Sequence, residues 1–343
     1  MSHEPLPLLP PPGQTLGAWS IFSNAEALAL VPRPRSKAPT GKGMGVVRLV
    51  LDDDVSVEAY GAVYGIEHTI HDANFRMTLT VDHYNRRLKV ARVEGDPGLI
   101  CAKLERLAEA NGFDKVTLKV EREHLGAMLA HGYKLEGLIP QFFRGQDAYV
   151  VSRFLSAERF SFDRFADESE MLRQIAAKPR RRPADSLPSG YTMCLATPDD
   201  IEDLVTLYEG TFETYPSPVA SPDFLLATMQ SHVRYALMRN GRGQLVSAAS
   251  ADIDFANGNA ELTDCATLPT ERGRGLMLLL LDHLERVIRP QGVRCAYSMA
   301  RAMAPGMNRV FHNLGYGHYG RLINNCDISG DFEDINLWVK PLD

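Results

Sequence analysis

The chain has 343 residues, 45% apolar and 23% charged, which is ordinary for a folded protein and enough for two domains of about 150 residues. Its formal net charge of −6 argues against a general nucleic-acid binder, whose affinity rests on excess Lys and Arg. No apolar run approaches the roughly 18 residues of a membrane helix, no basic-then-apolar leader opens the chain, and the five cysteines form no CxxC pair, so a cytoplasmic protein with buried free thiols and no metal is expected.

Residues 1–45 are proline-rich and lack periodicity, so a disordered or surface-draped tail is expected, with a short helix at Ala18–Leu30. Residues 46–155 alternate strands and helices. Strands are expected at Val46–Leu51, Val55–Tyr60, Asn74–Val81 and Arg87–Val93. A helix follows at Pro97–Asn111, since Ile100, Leu104, Leu107 and Ala108 share a face and Gly112 can stop it. Then come a strand at Lys115–Val120, a helix at Glu123–His131, and strands near Leu135–Ile139 and Ala148–Phe154 around an Arg144-Gly145 turn. Residues 156–190 are expected to be a linker with a helix at Glu168–Ala177 and a solvated basic run, Lys178–Pro183.

Residues 191–343 repeat the α/β style. The expected order is strand Tyr191–Ala196, a helix from Pro198 to about Thr214, helix Asp223–Ser231, and a hairpin of Val233–Met238 with Gln244–Ile253. A strand at Ala260–Thr267 then leads into Arg272-Gly273-Arg274-Gly275 and a long apolar helix from Leu276 to Arg289. After it come strand Arg294–Ala300, helix Pro305–Leu314, and strands at Gly317–Cys326 and Asn336–Lys340.

The glycine turn is the strongest local signal. A turn that opens a helix exposes N–H groups without intrahelical acceptors, and these suit a phosphate or pyrophosphate. Gly273 and Gly275 let the backbone come close, and Arg272 and Arg274 add charge. No Gly-Lys-Ser/Thr follows and the third glycine of a dinucleotide fingerprint is missing. The run from the helix at Pro97 to the strand pair ending near Phe154 matches, element for element, the run from Leu276 to Lys340, and both halves place Gly-Tyr after the second helix. The first half has Val93-Glu94-Gly95-Asp96-Pro97 where the second has its glycine turn, so two related units are expected, with only the second able to bind an anion there.

The turn resembles the acetyl-CoA loop of the GCN5-related N-acetyltransferases, Gln/Arg-x-x-Gly-x-Gly/Ala, with Met277 replacing the last small residue. Met277 either narrows the pyrophosphate site or points into the core. Asp264–Leu276, Ala300-Arg301-Ala302, Gly306-Met307-Asn308, Gly315-Tyr316, Asn324-Asn325, Thr214-Tyr215-Pro216 and Ile139–Gly145 together are similar to the β-lysine N-acetyltransferase family, from about Val57 onward. That resemblance implies an α/β, mixed-sheet acetyltransferase fold preceded by a degenerate copy. It also implies acetyl-CoA as co-substrate and acetylation of the ε-amine of β-lysine to make an osmolyte. A lysine- or polyamine-type substrate, or a non-catalytic acyl-CoA sensor, is the alternative.

An ε-amine with a pKa near 10.4 must lose a proton before it attacks a thioester. Asp264, on the strand entering the turn, is the first candidate base, and Glu261 is its rival. Strict alternation would put Leu262, Asp264 and Ala266 on one face and Glu261, Thr263 and Cys265 on the other. Thr267, Arg272, Gly273, Arg274, Gly275, Leu276, Met277 and Asn308 are the candidate acetyl-CoA contacts. Arg301 is the candidate clamp for the substrate carboxylate, with Tyr215 and Asn324 lining the pocket and Tyr84, Asn85 or Arg86 reaching in from the first half. Many acetyltransferases carry a thiolate-protonating tyrosine four residues before the helix-closing glycine; Phe311 stands there, with His312, Tyr316, Tyr297 and Tyr319 nearby in sequence. The expected partner is a small amine, with neither nucleic acid nor membrane, and a homodimer is compatible.

Overall fold

The computed structural model describes residues 46–60, 65–213, 215–328 and 331–342, so the tail and the helix expected at Ala18–Leu30 lie outside the described residues. In chain order the first half contains β1 (Val46–Asp52), β2 (Val55–Tyr60), β3 (Ile66–His71), β4 (Phe75–Asp82), β5 (Arg87–Gly95), α1 (Pro97–Ala110), β6 (Lys115–Val120), α2 (Arg122–Ala130), β7 (Lys134–Phe143) and β8 (Gln146–Phe154). The connection carries α3 (Phe165–Ala176). The second half contains β9 (Thr192–Leu195), α4 (Ile201–Thr211), α5 (Pro222–Gln230), β10 (Val233–Arg239), β11 (Leu245–Asp254), β12 (Asn259–Thr267), α6 (Leu276–Ile288), β13 (Cys295–Arg301), α7 (Pro305–Leu314), β14 (Gly317–Ile328) and β15 (Asp331–Pro341).

Apart from the β1–β2 hairpin, the strands form one mixed sheet, ordered β3-β4-β5-β6-β8-β7-β14-β15-β13-β12-β11-β10-β9. Read outward from the β7–β14 seam, the first six strands on each side have matching orders, and β9 is added at the far edge of the second half. Each has one parallel pair, β5–β6 and β12–β13, linked by α1 and α6 respectively. The sequence repeat is therefore a structural repeat. β3 had no sequence signal: Glu67, His68 and His71 blur the alternation of Ile66 and Ile70. α4 stops at Thr211 instead of running on to Thr214, because Phe212 turns extended with φ −111° and ψ 116°.

At the seam the backbones meet through glycines. A Cβ on Gly320 would lie 2.2 Å from the Glu136 carbonyl oxygen, and one on Gly137 would lie 2.8 Å from Leu337. An apolar cluster joins the halves there, with Ile139, Phe142 and Val150 packed among Tyr297, Ile335 and Leu337. Buried cations fasten it. Lys115 pairs with Glu136 at 3.0 Å and donates to the Ile323 carbonyl at 2.8 Å. Arg87 binds Asp82 at 2.9 Å and donates to the Asn325 carbonyl at 2.7 Å.

In the second half, α6 buries Leu276, Leu280, Leu281, Leu284 and Ile288 against β10–β13. Each such side chain contributes on the order of 1.5–3 kcal/mol. α4 and α5 cover a separate cluster on the other face. The connection is pinned along α7, where Arg309 donates to the carbonyls of Ile175 (3.0 Å) and Pro179 (2.7 Å). Lys178–Arg182 are exposed, as a solvated run requires.

Candidate active site

β12 is where the chemistry concentrates. It pairs with β11 in regular register through Asp252↔Glu261 and Ser250↔Thr263, then resumes at Ala248↔Ala266, so β12 carries one extra residue. Asp264 takes the bulge with φ +50°, a left-handed conformation unusual outside glycine. The bulge breaks the alternation expected from the sequence. Leu262 packs into the cluster under α6, whereas Ala266 packs into the cluster under α4 and α5. Cys265 turns to the α6 side. Asp264 therefore does not share a face with Leu262, and Glu261 is close enough for its charge to raise the Asp264 pKa. The two carboxylates are neighbours.

Asp264 is buried, and its Oδ2 accepts a hydrogen bond from the Ser250 hydroxyl at 2.6 Å. Burial raises its pKa to about 6, with Ser250 and Tyr215 pulling the other way and Glu261 adding to the rise. A carboxylate of that pKa is ionised at neutral pH and basic enough to take a proton. Tyr215 stacks on Phe212 at 4.3 Å, and its hydroxyl lies 3.4 Å from the Thr263 hydroxyl. It lines the same side of the strand.

Next to the bulge the sheet opens. β12 and β13 pair only through Asn259↔Cys295, Ala260↔Ala296 and Glu261↔Tyr297, although both strands continue. Past Glu261 and Tyr297 their facing backbone edges have no strand partner among the described residues, which leaves a wedge on the side of the glycine turn. Amide groups in such a wedge can hydrogen-bond an extended ligand arm in place of a neighbouring strand.

At the end of the wedge Gly273 and Gly275 both take left-handed φ, +81° and +78°. A Cβ at either would meet nothing within 4 Å, so both face open space. Gly275 caps α6 without a side chain, and the first turn of α6 holds no acid. In the first half Asp96 caps α1, accepting from the Leu99 N–H at 2.9 Å. One helix start is thus closed by its own carboxylate, and the other offers bare donors to an anion. Arg272 folds back so that Nε donates to the Thr267 carbonyl at 3.1 Å, and Arg274 pairs with Glu271 at 3.1 Å. The Thr267 hydroxyl lies 2.7 Å from that of Ser247. Leu276 and Met277 are buried in the core, so Met277 does not narrow the turn. Gly275→Val is expected to raise the KM for acetyl-CoA at least about tenfold, since a β-branched residue resists positive φ, with little change in the amine KM. Steady-state kinetics with each substrate varied in turn would show it.

Several expected roles are reassigned by the structure. Asn308 is fully buried; its Nδ2 donates to the Arg301 and Ala304 carbonyls (both 2.8 Å), and its Oδ1 accepts from Asn336 Nδ2 (2.9 Å) and Trp338 Nε1 (2.8 Å). Its side chain brackets α7 to β13 and β15 and has no group left for an acetyl-CoA arm. Asn324 lies on β14, separated from β12 by β15 and β13, and donates to the Arg159 carbonyl at 3.1 Å. It fastens the seam instead of lining the pocket. Asn85 is likewise a seam residue, binding Asp82 and accepting from the Asp327 N–H at 2.9 Å, while Arg86 pairs with Asp114. Arg301 ends β13 with its guanidinium 3.4 Å from Glu333. Phe311 is buried edge-on against Tyr316, which is itself buried. His312 lies 3.1 Å from the Lys178 carbonyl on the connection, Tyr297 is buried in the seam cluster, and Tyr319 is partly exposed. Ser250, Asp252 and Lys119 were not singled out from the sequence. Only the cross-strand register brings the first two to β12, although Lys115-x-Thr117-x-Lys119 on an apolar strand was a visible polar alternation.

A bulged acidic strand, a wedge beside it and a bare helix start at its end are the working parts of a GCN5-related N-acetyltransferase, and residues 201–316 match the acetyltransferase (GNAT) family model. Members of that family use acetyl-CoA. The chain is 35% identical to the β-lysine N(6)-acetyltransferase of Methanosarcina mazei over 71% of this chain and 97% of that protein. It is 34% identical to the N-acetyltransferase YodP of Bacillus subtilis over 78% of this chain and 97% of that one. Among solved structures, the spermidine N-acetyltransferase of Vibrio cholerae aligns with a TM-score of 0.40 at 16% identity, over 45% of this chain and 95% of its own. The chain belongs to the β-lysine N-acetyltransferase family and is an N-acetyltransferase. Among the described residues no helix is long and apolar enough to cross a membrane.

Proposed function

We propose that the chain transfers acetyl from acetyl-CoA to the ε-amino group of β-lysine, with Asp264 as the base. The observation that carries the mechanism is the buried Asp264 carboxylate, with a pKa of about 6, at the mouth of the wedge. The relatives named for β-lysine supply the substrate. The glycine turn and the start of α6 suit the CoA pyrophosphate, and the wedge suits the amide-bearing arm that ends in the thioester. Asp264 accepts a proton from the substrate ammonium. The freed amine attacks the thioester carbonyl carbon, the C–N bond forms, the C–S bond breaks, CoA leaves as thiolate, and the surplus proton still on the new amide nitrogen passes to the departing thiolate or to water. Phe311 supplies no proton, and none is required, since a thiolate of ordinary pKa near 8.5 is a competent leaving group. The product keeps one carboxylate and one ammonium. It is therefore net neutral, a charge state that suits an osmolyte accumulated to high concentration.

The test is CoA thiol release from acetyl-CoA with β-lysine, α-lysine and spermidine side by side. Release with β-lysine well above the other two is expected. Preference for α-lysine or spermidine would retain the acetyltransferase and discard β-lysine. Tight acetyl-CoA binding with no release for any amine would favour a sensor.

A further inference from the structure

We propose that Lys119, from the half without the glycine turn, binds the carboxylate of the amine substrate in the active site of the other half. The proposal rests on the β-lysine reading above and deepens it.

On β6, Lys115, Thr117 and Lys119 alternate with Val116, Leu118 and Val120, and the apolar three lie in the first-half core. The polar face therefore points at the second half. Lys115 is consumed by Glu136 at the seam. Lys119 is not. Among the described residues no carboxylate lies within ion-pair distance of its ammonium. Its ammonium lies over two aromatic faces, with the ring centroids of Phe142 at 5.0 Å and Tyr297 at 5.3 Å. Tyr297 is the last β13 residue paired to β12, opposite Glu261, so Lys119 stands over the vertex of the wedge. An ammonium carries three donors, and ring faces satisfy its charge only in part.

The second half presents the opposite sign. Asp252 and Glu261 are direct cross-strand partners, an arrangement that like charges disfavour. Asp252 Oδ1 is buried and, among the described residues, accepts no hydrogen bond; His232 Nε2 lies 3.5 Å from it. Burial, reinforced by Glu261 and Asp264, raises Asp252 to about 7. Burial lowers Lys119 to about 8 and Lys89 adds to the fall, while Glu261, Asp254 and Asp252 act through space to keep it charged. A cation without a carboxylate in ion-pair reach thus stands near Glu261 and Asp252, whose buried Oδ1 lacks a donor, with Asp264 beside them. A ligand that carries a carboxylate at one end and amines along its length matches both sides. A bare diamine matches only the acidic side. Arg301, expected from the sequence to serve as the clamp, is already paired with Glu333.

The test compares β-lysine with 1,4-diaminopentane, the same skeleton without its carboxylate. Lys119→Met is expected to raise the KM for β-lysine about 10–100-fold, the effect of losing a hydrogen bond to a charged group, and to leave the KM values for the diamine and acetyl-CoA within about twofold. Lys119→Arg should restore most of the preference for β-lysine. A variant that keeps the wild-type preference, or that weakens both amines alike, would overturn the proposal alone. A wild type that does not prefer β-lysine to the diamine would overturn the substrate reading, and this proposal with it.

Discussion

Asp264→Asn is expected to lower kcat for acetyl transfer by about 10²–10⁴-fold, the range of general-base catalysis, with the KM for acetyl-CoA changed by no more than about threefold. Asparagine keeps the shape and can still accept the Ser250 hydrogen bond made to Asp264 Oδ2. It also tolerates the positive φ of the bulge better than most residues. The fold should therefore survive, and the loss should fall on proton transfer. The pH profile separates this from a loss of structure. The carboxylate must be unprotonated to act, and burial has moved its pKa from 3.8 up to about 6. Wild-type kcat/KM should therefore fall about tenfold per unit as pH drops below about 6. The acidic limb sits near 6 and not near 4 because the charged form is desolvated. The asparagine variant should lose that limb.

Lys115→Met is expected to destabilise the protein by about 3–5 kcal/mol, the cost of breaking a buried ion pair from one side. Lys115 is fully buried; its ammonium is shared between Glu136 and the Ile323 carbonyl and lies over the Phe154 ring at 4.9 Å. Methionine fills a similar volume but leaves the Glu136 carboxylate buried, with the Ile323 N–H at 2.6 Å and the Ser152 hydroxyl as its donors. Urea denaturation should show a lower midpoint. Hydrogen exchange should rise first at β7 and β14, where the backbones touch through Gly137 and Gly320. Glu136→Gln should cost less, since the buried lysine, already lowered to about 8 by desolvation, can shed its proton. If both substitutions leave the midpoint unchanged, the pair does not fasten the seam.

Much of this architecture was legible because it is local. The apolar spacing of Leu276–Ile288, the glycines before it, and the parallel runs of elements in the two halves all lie within short windows, and the sheet order reproduces the repeat. The active-site details were less so. Nothing near Asp264 marks a bulge: no glycine or asparagine sits there, and the extra residue shows only when Ser250 and Ala248 are paired to Thr263 and Ala266. A shift of one residue exchanges the faces of every position beyond it. Asn308 and Asn324 look like ligand contacts in the chain because exposed amides often are. They prove to be committed to partners on β13, β15 and the connection before α3, which no local window contains. Lys119 was overlooked for the same reason, since its significance comes from Tyr297 and Glu261 in the other half.

The central claim is most directly tested by locating the transferred group. Enzyme, β-lysine and acetyl-CoA labelled with carbon-13 at the acetyl carbonyl should give a single product by NMR, with the label coupled to the terminal ε-nitrogen. The Asp264→Asn enzyme should give it at a rate lower by about two orders of magnitude or more. Label on the β-nitrogen, or equal rates from the two enzymes, would contradict the account.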